Sequence, residues 1–277
     1  MESMIGQLTE FGEWLLRLGE GKLEVDEEQN IELPKEMCLD EGCDLDALVD
    51  WVYPNLASNC QDEKWLSTRA ILAPLHVDVN ATNQYLTDSF PGSSWILESA
   101  DVISPDTPSI ACVGVEVLNT FNGPGIPLHR LELKRNMPIM LMRNLRPEEG
   151  LCNGTRLLVQ DVLGKTVILA KIVTGTHAGN VVAIPRCSLS PEDSEYPFKW
   201  SRRQFPIRIA FCMTINKAQG QTLSRVGIYL HNKCFAHGQL YVAASRVGHP
   251  DHIRFALKRC DDGTYRTANI VYKEVLT

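Results

Sequence analysis

The chain has 277 residues, 44% hydrophobic and 22% charged, with a formal net charge of −7. That suffices for a substantial core and, by length, about two domains. No apolar run approaches the roughly 20 residues of a membrane-spanning helix, and the N-terminus lacks the basic and apolar regions of a secretory signal, so an intracellular protein without a membrane partner is expected.

The negative charge is local. Residues 1–66 carry 17 acids against 4 bases, whereas residues 67–277 carry 17 acids against 23 bases, a mildly basic body compatible with phosphate contact. In the acidic part, Phe11, Trp14, Leu15 and Leu18 recur at helical spacing and Gly19 with Gly21 ends the pattern, which predicts a helix over 8–18. After an aperiodic acidic stretch, Asp44 is an N-cap for a second helix with Leu45, Leu48, Val49 and Val52 on one face, ending at Pro54.

Near Arg69 the character changes. Ala70-Ile71-Leu72-Ala73 fits a buried strand, and residues 77–90 read as a helix that stops before Pro91 and Gly92. Residues 104–127, punctuated by Pro105, Pro108, Gly123, Pro124, Gly125 and Pro127, read as loop. From 128 to 213 branched residues dominate and the signal is β, with a hairpin turn at Thr176-His177-Ala178-Gly179-Asn180. Beyond Met213 the order is a helical turn at 217–221, a strand at 226–230, a helix at 237–246 and a strand at 253–257. The expected architecture is an α/β core interrupted by a small barrel.

Nine scattered cysteines, an odd number without a C-x-x-C pair, point to reduced thiols rather than a disulfide framework. Cys38 and Cys43 with His249 and His252 lack the tight ligand pairing of structural zinc, so no metal site is assigned. Gly164-Lys165-Thr166 superficially resembles the end of a phosphate loop, but no glycine stands five residues earlier and both flanks read as strand, which favours a hairpin turn. Phe198, Trp200 and Phe205 lie beside Lys199, Arg202 and Arg203; packing inside a barrel is the favoured reading over base stacking.

Two strings carry chemistry. In AFCMTINKAQGQTL at 210–223 an apolar strand delivers polar residues to its C-terminal edge, where ligands of open α/β sheets bind, and GQLYVAASRVG at 238–248 ends a helix in Ser245-Arg246. They resemble motifs V and VI of the petite-integration-frequency (PIF-type) DNA helicases. RAILAPLHVDVNATNQYL at 69–86 resembles the family's fourth motif, PIMLMRNLRPEEGLCNGTRLLV at 138–159 the approach to its SH3-like insert, and FGEWLLRLGEG at 11–21 the stretch after its third motif.

The resemblance implies a RecA-like P-loop NTPase second lobe at 67–155 and 206–277, an SH3-like β-barrel insert at 156–205, and a helical, acidic inter-lobe remnant at 1–66. It implies the C-terminal half of an ATP-dependent 5′-to-3′ DNA helicase, with ATP, Mg2+ and single-stranded DNA as the parent's ligands. Roles in DNA repair, recombination and telomere maintenance follow, with nuclear localisation in a eukaryote and cytoplasmic otherwise. Thr214, Asn216 and Lys217 would contact the DNA backbone, Gln219 and Gly220 would line the nucleotide cleft, and Arg246 would be the catalytic arginine reaching the γ-phosphate. No phosphate loop occurs in these residues, so the chain alone is expected to be inactive and to need an N-terminal motor lobe. The alternative is a non-catalytic nucleic-acid-binding or interaction module derived from a helicase or a mobile element. The sequence departs from the family pattern at Asn216 (usually histidine), at Asn136 (a glycine nearby), at Leu75-His76 (threonine-asparagine) and at Ala244 (leucine).

Overall fold

The computed structural model describes residues 2–40, 43–104, 114–123, 125–191, 198–272 and 274. Cys112 and the prolines at 105, 108 and 124 lie outside them. The chain divides into two compact units: residues 1–59, 64–86 and 211–277 form one, and residues 60–63 with 87–210 form the other. No helix among the described residues is long and apolar enough to cross a membrane.

The first unit is built on a four-stranded parallel sheet in the order Cys212–Thr214, Arg69–Ala73, Arg225–Tyr229, Ile253–Ala256. The second of these strands is buried on both faces from Ala70 to Ala73, which is why its sequence reads as a continuous apolar run rather than an alternation. The helix Leu45–Val52 covers the sheet. Asp44 caps it as expected, its carboxylate accepting from the backbone N–H groups of Asp46 and Ala47. Leu48 and Val52 press so closely on the strand Arg225–Tyr229 that a Cβ at Gly227 would lie 2.6 Å from Val52 and 2.8 Å from Leu48, so that glycine is a close-approach position. The helix expected over 8–18 spans Glu2–Gly19 and meets Tyr241 at Gly19. The acidic stretch is also ordered in part: Asn30–Glu32 pairs antiparallel with Arg266–Ala268.

The second unit is antiparallel. Its largest sheet runs in the order Ile207–Ile209, Pro138–Leu141, Arg156–Leu163, Val167–Ile172, Val181–Pro185. Smaller sheets join Cys187–Leu189, Trp200–Gln204 and Ala100–Ile103, and pair Trp95–Glu98 with Arg130–Leu133. The expected boundaries at 155/156 and 205/206 therefore do not coincide with those of the units. Strands between 95 and 141 hydrogen-bond to later antiparallel strands rather than to the parallel sheet, so the β-rich unit begins at residue 87. Within the stretch read as loop, Val115–Asn119 forms a short helix.

Gly164 and Lys165, with φ of +53° and +57°, lie in the three-residue connection between Leu163 and Val167, closed by Thr166 N donating to Leu163 O at 3.0 Å, so this string is a hairpin turn and not a phosphate cradle. Asn136 also has positive φ, +67°, and its side-chain amide donates to Cys60 O and Gln61 Oε1. Asparagine tolerates this region where most residues do not. Phe198, Trp200 and Phe205 are buried in the apolar clusters of this unit, as packing residues.

Arg202 is buried completely. Its guanidinium pairs with the equally buried Asp101 at 2.6 Å and donates to the carbonyls of Leu118, Asn119, Phe121 and Pro127. Because one planar fork answers a carboxylate and four carbonyls, it holds Leu118, Asn119, Phe121 and Pro127 together around itself.

Candidate functional site

Five of the six candidate residues lie at or just after the C-terminal end of the strand Cys212–Thr214, and the sixth, Arg246, follows the helix Gln239–Ala244. The edge strand Cys212–Thr214 has one open side, and there the helix His76–Ser89 substitutes for a neighbouring strand. The Asn83 amide donates to Cys212 O at 2.8 Å and accepts from Cys212 N at 2.9 Å. Tyr53 steadies the strand's entry by donating to Phe211 O at 2.8 Å. Thr214 is thereby held at the sheet edge, half-buried.

The chain then turns. The helical turn expected at 217–221 is instead a short 3-10 helix over Ile215–Ala218, whose Ile215 and Ala218 point into the core while Asn216 and Lys217 are exposed. Gly220 has φ of +79°, and nothing lies within 4 Å of where its Cβ would be; the glycine serves the backbone turn, not a steric approach. Gln219 is exposed beside it.

The helix Gln239–Ala244 packs on this turn. Gln239 is buried, its Oε1 accepting from the backbone of Phe235 and Ala236, which shapes the loop feeding the helix. Arg246 follows the helix, and its guanidinium joins the two motif segments. Nη1 donates to Gln221 O at 3.1 Å and more weakly to Ala218 O at 3.4 Å, Nε donates to Val242 O at 2.7 Å, and Nη2 donates to Ser245 Oγ at 2.7 Å. Its own carbonyl accepts from Leu223 N at 2.9 Å. Burial pulls the Arg246 pKa below the ordinary guanidinium value, Tyr241 opposing it. The group stays charged at neutral pH.

Arg246 thus reaches across to the backbone of the loop bearing the other five expected residues. Sequence reasoning missed Asn83 and Gln239. Both are buried amides within quoted motif strings, but neither stands out by periodicity. Among the described residues no group of three or more His, Cys, Asp or Glu is placed to hold a metal, and the eight described cysteines form no disulfide with one another. Burial pushes the thiols of Cys38 and Cys234 up to about 12, so neither presents a thiolate at neutral pH.

Residues 116–162 match the family model for the 2B domain of the DNA helicase Pif1. The chain is 31% identical over 171 residues to the ATP-dependent DNA helicase PIF1 of Rattus norvegicus and 30% identical over 172 residues to that of Homo sapiens, 61% of this chain in each case. It spans about a quarter (24%) of those relatives' length. Among solved structures it resembles the Pif1 helicase of Candida albicans, with a TM-score of 0.53 and 23% identity over 84% of this chain and 55% of that one. It also resembles a Bacteroides Pif1 helicase in complex with ADP-AlF3 and single-stranded DNA, with a TM-score of 0.52 and 20% identity over 84% and 48%.

Proposed function

We propose that this chain, a relative of the PIF-type DNA helicases, supplies the second RecA-like motor lobe of an ATP-dependent 5′-to-3′ DNA helicase. On this reading residues 64–86 and 211–277 belong to that lobe, the antiparallel unit carries the SH3-like insert, and Thr214, Asn216 and Lys217 hold single-stranded DNA. Gln219, Gly220 and Arg246 face a nucleotide gripped by a first lobe. The observation that carries the reading is the arrangement around Arg246, where the guanidinium of one motif lies against the backbone of the other. An arginine so placed can sense phosphate and pass its displacement to the DNA-contacting loop.

On this reading the phosphate cradle for ATP and Mg2+ belongs to the first lobe, and Gly164-Lys165-Thr166 is a hairpin turn. The isolated chain is therefore expected to hydrolyse no ATP, with or without single-stranded DNA. The measurement is DNA-stimulated phosphate release against an Arg246→Ala control; turnover above that control overturns the reading. The same geometry also favours a second reading. Four hydrogen bonds to its own helix and loop are what a purely structural arginine makes, as in a non-catalytic nucleic-acid-binding module descended from a helicase.

A further inference from the structure

Beside the motif edge, the neighbouring strands of the same sheet end in a surface that none of the motif residues accounts for. In the order of the sheet, the edge strand ends in Thr214, the next runs into Pro74-Leu75-His76, and the third, Arg225–Tyr229, runs into Leu230-His231-Asn232-Lys233. His76, Val77, His231 and Lys233 are exposed. The His231 imidazole stacks on the Tyr229 ring, centroids 6.0 Å apart and planes 17° from parallel. Tyr229 is half-buried, hydrogen-bonded to Cys43, and burial raises its pKa, so it is a neutral aromatic base under the exposed imidazole.

The loop carrying this pair is fixed. Asn232 donates to both oxygens of the buried Asp78 carboxylate, at 3.2 and 2.9 Å, tying the loop to the first turn of the helix His76–Ser89. Lys233 donates to the neutral Asn30 Oδ1 at 3.0 Å, and no carboxylate partner engages it among the described residues. Beyond Lys233 the adjoining cleft of about 710 Å³ is mixed in charge, with Asp26, Glu27, Glu28 and Asp261 facing Lys258, Arg259 and Arg266.

We propose that Tyr229–His231 and Lys233 extend the single-strand track from Thr214 and Lys217, with His231 stacking one base and Lys233 meeting a phosphate. The proposal rests on the DNA-binding reading above. Its physical basis is threefold. An exposed ring lying flat on a second ring offers a π-face to any base, and a lysine held by a neutral acceptor keeps its charge available to a phosphate. Both sit two strand spacings from the motif edge, roughly 10 Å at about 4.8 Å per strand, which is within reach of a strand already held at Lys217.

The test uses the full 277-residue chain and fluorescein-labelled oligothymidylates of increasing length. His231→Ala is expected to weaken binding of the longer oligomers about ten-fold, and His231→Phe to restore it, because only the stacking surface is needed. Replacing the bases of those oligomers by abasic sites should weaken the wild type while leaving His231→Ala indifferent. Lys233→Ala should lower the slope of log affinity on log salt by about 0.7. Both side chains are exposed, so neither change threatens the fold. If Lys217→Ala weakens binding but His231→Ala and Lys233→Ala bind like wild type, this inference is overturned and the reading beneath it stands. A wild-type chain that binds no oligonucleotide at low salt overturns both.

Discussion

Fusing a first lobe with an intact phosphate loop, taken from a PIF-type relative, ahead of Met1 is expected to give a DNA-stimulated ATPase, and Arg246→Ala is expected to lower its turnover by about 10³–10⁵ while leaving nucleotide affinity nearly unchanged. The range is that of arginine fingers in other nucleotide hydrolases, where a guanidinium meets charge that develops on phosphoryl oxygens in the transition state. In the present structure the guanidinium spends Nη1 on Ala218 O and Gln221 O. On the proposed reading, a phosphate that draws the guanidinium from those carbonyls would link hydrolysis to the set of the Asn216–Lys217 turn. Arg246→Lys should fare little better than alanine, because an ammonium lacks the fork that spans two carbonyls or two phosphoryl oxygens. Steady-state phosphate release with fluorescent-nucleotide titration checks both halves. Parent-level turnover in the Arg246→Ala fusion would return the residue to a structural tie between helix Gln239–Ala244 and its neighbouring loop.

The second large effect lies in the antiparallel unit. Arg202→Ala should destabilise that unit by about 3–5 kcal/mol, since it leaves the fully buried Asp101 carboxyl without its cationic partner and four carbonyls without their donor. Replacing Arg202 and Asp101 together by apolar residues should recover only part of the loss, because the carbonyls of Leu118, Asn119, Phe121 and Pro127 remain unanswered. Trp200, whose ring lies 5.2 Å from the Arg202 guanidinium, reports this unfolding by its fluorescence in urea. A loss below about 1 kcal/mol for Arg202→Ala would place the pair among interactions that contribute nothing net.

What the sequence made legible was local. The Asp44 cap and the apolar face behind it, the apolar run at Ala70–Ala73 and the helix after it each depend on residues within one or two turns of one another, and each stands in the structure within a few residues. Arg202 was not legible as a buried ion pair, because Asp101 lies 101 positions away and a basic residue beside aromatics reads equally well as surface. The approach of Arg246 to Gln221 O is a fold-level event of the same kind, 25 residues apart in the chain. The 3-10 turn at Ile215–Ala218 replaced the expected helical turn because two of its four residues are core anchors, which ties the turn to the sheet and leaves Gly220 to reverse the chain. The boundary at residue 87 was hidden for a different reason: strand propensity marks a strand but not its partner, and strands 95–98, 100–103 and 130–133 declare their unit only by whom they pair with.

A salt titration of single-stranded DNA binding by the isolated chain, wild type beside Lys217→Ala, tests the DNA-contacting role most directly. Contacts made to the backbone predict weak, sequence-indifferent binding whose affinity falls steeply with salt, and a several-fold loss with a shallower salt slope in Lys217→Ala. Absence of binding at low salt, or binding that ignores Lys217→Ala and is lost when the acidic residues of 20–44 are replaced, would contradict the account.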